Sequence, residues 1–168
     1  MYFYKKLLEK KIILIRPENL YNLLVVFVIF LLDRITKIKI IKEVNSNPFY
    51  INDYINLDLI WNTGIGFGLL SSDSSLIYNF ITLIIGLVIL VLIYLSFTSE
   101  KIEKIIYSII IGGALGNFYD RCYYNAVPDF IDLHYNSFHW FTFNVADIFI
   151  TMGVLAFIAR EFFVRNKI

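Results

Sequence analysis

Residues 74–99 contain no charged side chain. A run of that length limits the fold severely, because about 20 mostly apolar residues are enough for a helix to cross a bilayer. In lipid the backbone must satisfy its own hydrogen bonds, so such a run is read as a helix. Three further stretches read similarly. The first is free of charge over 19–32 and continues past Asp33, Arg34 and Lys37 to about Ile41. Another follows Glu103 and Lys104 and is uncharged over 105–119, and the last, 140–159, holds a single formal charge, Asp147, among its apolar residues. With 58% hydrophobic residues and a mean hydropathy of +0.67, the chain is too oily for water. Soluble domains sit nearer about 45–50% apolar. The expected fold is an all-α membrane protein: four transmembrane helices with a small β-containing loop region on the extracytoplasmic side. One membrane-embedded domain covers 1–168, with spans at approximately 19–41, 74–98, 105–119 and 140–159.

Residues 1–18 are basic and are read as a cytoplasmic segment, because no small-x-small cleavage site follows them. With both termini inside, the cytoplasm holds Lys5, Lys6, Lys10, Lys11, Arg16, Lys101, Lys104, Arg160, Arg165 and Lys167. The outer side holds only Arg34, Lys37, Lys39, Lys42 and Arg121, so the positive-inside rule favours this orientation. Two outer loops result, about 42–73 and 120–139. In the first, Ile55, Leu57, Leu59 and Trp61 alternate with Asn56, Asp58, Ile60 and Asn62, the period of a half-buried strand. The second is read as a short loop rich in acids and aromatics, with Asp129 following a turn at 124–126.

Several function classes drop out. A net charge of +1 offers nothing to a nucleic acid. Cys122 is the one cysteine, so neither a disulfide within the chain nor a cysteine metal cluster is available. His134 and His139 lack a zinc-ligand spacing. No metal or cofactor is expected.

The polar residues converge in depth. Asp147, counted from the outer end of its span, lies roughly 10 Å below the start of the helix at 1.5 Å per residue. Asn144, three residues earlier, shares its face. Asn117, Asp120 and Arg121 approach the same surface from the third span, Asp33 and Lys37 from the first, and Asn62 from the end of the outer loop. A charge at the bilayer centre costs at least about 2.5–3.5 kcal/mol. Groups at one depth cost less when they face a shared wet cavity, so one site opening to the outer face is expected. Gly112 and Gly116 have the small-xxx-small spacing that lets helices pack closely, and helix packing is the reading taken for these glycines. Asp33 with Lys37 reads as an interfacial pair and Asp132 as a solvated acid. The residues alone do not choose among Asp120, Asp129 and Asp132 as a partner for Asp147.

Five segments in order, "DRITK" (33–37), "NTGIGFG" (62–68), "GGALGNFYDR" (112–121), "VPDFID" (127–132) and "FNVAD" (143–147), resemble the motif set of lipoprotein signal peptidase, or signal peptidase II. The resemblance implies a bacterial inner-membrane aspartic endopeptidase. Such an enzyme removes the signal peptide from diacylglyceryl-modified prolipoproteins, cutting before the lipidated cysteine. It further implies Asp129 and Asp147 as the catalytic pair. Asp33, Lys37, Asn62, Gly64, Asn117, Arg121 and Asn144 take substrate-binding or supporting places. The expected partners are the prolipoprotein and membrane lipids, and the enzyme is expected to be a monomer with its active site toward the extracytoplasmic face. Two rivals stand beside this reading: a small transporter or proton-relay subunit, and a non-catalytic lipid-binding subunit. Against the first, the inner halves of the spans lack ionisable groups that would complete a path.

Overall fold

The computed structural model describes residues 17–44, 48–64 and 75–165. Over these the chain forms α1 (Pro17–Glu43), β1 (Phe49–Asn52), β2 (Ile55–Asn62), α2 (Ser75–Thr98), α3 (Lys101–Tyr124), β3 (Val127–Tyr135), β4 (Phe138–Phe143) and α4 (Val145–Arg165). Most of the basic N-terminal segment, and the part of the outer loop containing 65–74, lie outside the described residues.

α3 is the central post, packed against α4, α1 and α2. Its glycines explain how two of these, α1 and α4, approach so closely. A side chain at Gly112 would strike Ile29 and the Val26 carbonyl of α1, and one at Gly116 would strike the Asp33 carboxylate. A side chain at Gly113 would meet the Ala146 carbonyl and Ile150 of α4. So the two-sided approach needs Gly112 and Gly116 toward one neighbour and Gly113 toward the other, each one residue wide. α3 ends at Asn125, whose φ of 56° is the left-handed conformation that asparagine tolerates better than most side chains.

The four strands form one antiparallel sheet in the order β1-β2-β3-β4. The period-two segment 55–62 is β2, as its alternation predicts. Two expectations are corrected beside it. Residues 138–143 form β4, so α4 starts at Val145 and not at Trp140. An aromatic, β-branched run such as Phe138-His139-Trp140-Phe141-Thr142-Phe143 suits a pleated surface, and periodicity does not separate a short apolar strand from the start of a helix. Asp129 accordingly lies on a strand, not in a turn. The sheet is anchored to the helices by a core of Ile40, Val44 and Phe130, with Leu57, Leu59, Ile131 and Val145 against it.

By length and composition, one described helix qualifies as a membrane span: Leu76–Thr98 of α2, with a mean hydropathy of 2.9. The other three carry ionisable residues along their apolar stretches, among them Asp33, Arg34 and Lys37 on α1, Asp120 and Arg121 on α3, and Asp147 on α4.

Gly113→Ala should lower stability by about 1–3 kcal/mol, the usual cost of overpacking, because the obstacle is backbone of α4 that cannot rotate away. Thermal unfolding of the detergent-solubilised protein would measure it, and an unchanged midpoint would contradict the packing described.

Candidate active site

The site starts at the first turn of α4. Asn144 occupies the N-cap position and Asp147 the third residue inside the helix. The Asp147 amide donates to Asn144 Oδ1 at 3.1 Å, and the Asn144 amide donates to Asp147 Oδ2 at 3.1 Å. This is a reciprocal capping box with asparagine and aspartate in the two roles. The helix dipole also favours a carboxylate there. The spacing of Asn144 and Asp147 thus has a local physical cause beyond sharing a helix face.

Asp129 is delivered from the other side by the sheet. β3 lies between β2 and β4, with Ile60 paired to Asp129 and Asn62 to Val127. This register places Asn62 diagonally across from Asp129, and Asn62 Nδ2 donates to Asp129 Oδ2 at 2.8 Å. Asn144 Nδ2 donates to Asp129 Oδ1 at 2.6 Å. Asn144 therefore bonds both carboxylates, one through its side chain and the other through its backbone. The second oxygen of Asp147, Oδ1, accepts from Asn117 Nδ2 at 2.8 Å.

Arg121 completes a ring of bonds. It donates through Nη2 to the Gly64 carbonyl at 2.9 Å and through Nη1 to the Asn117 carbonyl at 3.2 Å. The Gly64 amide in turn donates to Asn62 Oδ1 at 2.8 Å. From α2, the Tyr78 hydroxyl reaches the Arg121 carbonyl at 3.4 Å.

Behind the ring sits a buried ion cluster. Lys37 Nζ bonds Asn117 Oδ1 at 2.8 Å and Asp120 Oδ2 at 2.7 Å, and lies 3.0 Å from Asp33 Oδ2. Arg34 Nη2 bonds Asp33 Oδ2 at 2.9 Å and Asp120 Oδ2 at 2.7 Å. Asp33 Oδ1 accepts from the Ala146 amide at 3.1 Å, satisfying another free donor at the start of α4. The side chains of Asp33, Lys37 and Asp120 have no solvent exposure. The Asp33–Lys37 pair is thus an interior strut, which corrects the interfacial reading.

All nine residues singled out for the site, Asp33, Lys37, Asn62, Gly64, Asn117, Arg121, Asp129, Asn144 and Asp147, belong to this one network. Arg34 carries no expected role from the sequence, and Asp120 only that of a rival acid. The spacing of Asp120 from Asn117 on α3, matched to Asp33 and Lys37 on α1, was the available signal. The three rival acids now separate. Asp120 is consumed by Lys37 and Arg34. Asp132 is buried, not solvated, with His139 Nδ1 at 2.7 Å and His134 Nδ1 at 3.7 Å. Asp129 meets asparagine amides and leaves lone pairs free. Among the described residues no group of three or more His, Cys, Asp or Glu is arranged to hold a metal ion.

Burial pushes the Asp129 carboxyl up to about 6, and the neighbouring Asp147 charge adds to this against the opposing bonds from Asn62 and Asn144. Two carboxyls that share a residue and repel one another's charge retain a common proton more readily than either would alone. Such a pair can supply an acid and a base together.

The chain is similar to known proteins over most of its length. The sequence model of the family signal peptidase (SPase) II matches residues 25–163. A lipoprotein signal peptidase of Pelagibacter ubique is 52% identical over 157 residues, 91% of this chain and 95% of that protein. One from Francisella tularensis subsp. mediasiatica is 37% identical over 159 residues, covering 92% and 98%. A solved structure described as a bacterial membrane enzyme superposes with a TM-score of 0.70 at 27% identity, covering 84% of this chain and 92% of that one. A second solved structure so described gives 0.69 at 28% identity, over 84% and 87%. A chain matched over most of its length by both the family and these relatives belongs to the signal peptidase II family of lipoprotein signal peptidases.

Proposed function

We propose that this protease of the lipoprotein signal peptidase family hydrolyses its prolipoprotein substrate with Asp129 and Asp147 as a catalytic pair. The observation that carries the assignment is Asn144, which bonds both carboxylates at once. One carboxylate, ionised, takes a proton from water as the oxygen attacks the scissile carbonyl carbon. The other, protonated, gives its proton to the carbonyl oxygen. Collapse of the tetrahedral species then expels the amine, which takes up a proton from the pair. Asn62, Asn117 and Asn144 hold the carboxylates by amide donors, which cannot take the protons being exchanged. Arg121 ties the end of β2, at Gly64, to α3 and so keeps Asn62 in place. Asp33 and Lys37 support the start of α4. The substrate is the diacylglyceryl-modified precursor, cut before the lipidated cysteine, and the enzyme acts as a monomer.

All four helices cross the bacterial inner membrane in this reading, with both termini cytoplasmic and the aspartates toward the extracytoplasmic face. The distribution of side chains on α1 supports it. Leu23, Leu24, Phe27, Leu31 and Ile35 are exposed, whereas Asp33, Arg34 and Lys37 on the same helix are buried. α4 is similar, with Met152, Leu155, Ile158 and Phe162 exposed and Asn144 at the buried start. An apolar exterior around a charged interior is the inverse of a water-soluble protein and suits lipid as the outer solvent. Of the residues that dilute the hydropathy of α1 and α3, Asp33, Arg34, Lys37, Asp120 and Arg121 are buried.

Asp129→Asn and Asp147→Asn should each reduce cleavage of a lipidated prolipoprotein on the order of 10⁴-fold or more, while the protein still inserts and folds. Normal processing by the Asp147→Asn protein would sink the assignment. In the same assay, a non-lipidated precursor should be cut far more slowly than the lipidated one.

The pH dependence has a definite sign. With the Asp129 carboxyl raised to about 6, the shared proton is present below that pH and is lost above it. kcat/KM should therefore have an alkaline limb beginning near pH 6 and an acidic limb where the remaining carboxylate protonates. A profile flat from about pH 4 to 8 would contradict a shared-proton pair.

A further inference from the structure

The proteolytic reading uses Asp129, Asp147 and their asparagines but leaves Arg34 without a task. Its position is demanding. The guanidinium is largely removed from solvent, with its side chain 10% exposed, and it lies over the Tyr119 ring at 4.9 Å. Nη2 reaches Asp33 and Asp120, and Nη1 adds a second contact to Asp120 Oδ1.

The charges of the network are unequal in number. Asp33, Asp120, Asp129 and Asp147 supply carboxylates, and Arg34, Lys37 and Arg121 supply cations. Among the described residues of the network, acids exceed bases by one. Burial penalises uncompensated charge, so the neutral state of this site holds one proton on its carboxyls. Asp33 and Asp120 are saturated by direct ion contacts, whereas Asp129 and Asp147 accept only neutral amide or backbone donors. The proton therefore goes to that pair.

Lys37 couples the two halves. It contacts Asp33 and Asp120 on one side and, through Asn117, abuts Asp147 on the other. Its charge is shared, and Arg34 decides how. With Arg34 also against Asp120, Lys37 shares that carboxylate instead of neutralising it alone, and more of its charge acts on the pair. Without Arg34, Lys37 is the sole cation against two buried carboxylates. The other charged or titratable groups facing this region are Arg121 and the tyrosines Tyr78, Tyr119 and Tyr124.

We infer, resting on the proteolytic reading above, that Arg34 is a positioning residue that holds the aspartate pair at one shared proton by sharing with Lys37 the charges of Asp33 and Asp120. Charge in the network, rather than shape, is what Arg34 supplies.

The test is the pH profile of kcat/KM on a lipidated prolipoprotein for Arg34→Gln, Arg34→Lys, Asp120→Asn and the Arg34→Gln/Asp120→Asn double variant. Loss of the arginine charge makes acids exceed bases by two, so both limbs of the Arg34→Gln profile should move up by about one pH unit. Asp120→Asn removes the excess, and its profile should move down by a similar amount. The double variant restores the excess of one and should return toward the wild-type profile, and Arg34→Lys should stay near it. A lower rate at every pH with unmoved limbs would show a role in packing only and overturn the inference, as would a double variant no closer to wild type than Arg34→Gln. If Arg34→Gln fails to fold, the downward shift of Asp120→Asn carries the test, and its absence overturns the inference. Asp147→Asn runs alongside: full activity there defeats the catalytic pair itself, whereas an inactive Asp147→Asn with coincident Arg34→Gln and wild-type profiles defeats only the role of Arg34.

Discussion

Lys37 has no solvent exposure and reaches Asp33, Asp120 and the Asn117 amide oxygen at once. An ammonium in that place would be prohibitively costly without such partners, so the partners fix where α1 and α3 meet. The consequences run outward from it. Asp33, held by Lys37, accepts the Ala146 amide and so sets the start of α4. Asn117, held by the same ammonium, turns its other end to Asp147. One buried cation thus positions both the helix that carries an aspartate and the amide that bonds it.

Around this strut the two aspartates arrive by different routes. Asp147 is placed by the local chemistry of a helix start, where Asn144 and Asp147 cap one another. Asp129 is placed by sheet register opposite Ile60 of β2, while β4 pairs with the same strand from Ile131 onward. Asn144 belongs to both schemes and joins them. A helix cap is a rigid local device and a strand register changes only in whole residues, so the pair is held without needing a large soluble scaffold.

Much of this was legible in the residues. Matching depths of Asp33, Asn117 and Asp147 pointed to one site because unpaired charges in lipid are costly. The alternation in 55–62 predicted β2 for the same reason that any half-buried strand shows period two. What could not be read was set by contacts between distant segments. Asp120, Asp129 and Asp132 are equivalent in sequence terms, and only their partners, Lys37 with Arg34, the two asparagines, and the histidines, make them differ. The start of α4 was misplaced because Trp140 to Phe143 continue an apolar run. The asparagine cap that ends the strand was present in the sequence, yet was read only for the face it shares with Asp147.

The sheet is divided along the chain. β1 and β2 precede α2 and α3, and β3 and β4 follow them, yet β2 and β3 are neighbours. Asn62 and Asp129 therefore cannot meet until the two intervening helices have been laid down and the chain has returned to the same side. Asp147 comes later still. A chain ended after α3 contains every member of the Lys37 ion cluster but neither member of the aspartate pair. Juxtaposition of the two aspartates is thereby tied to completion of the whole fold, down to its last helix.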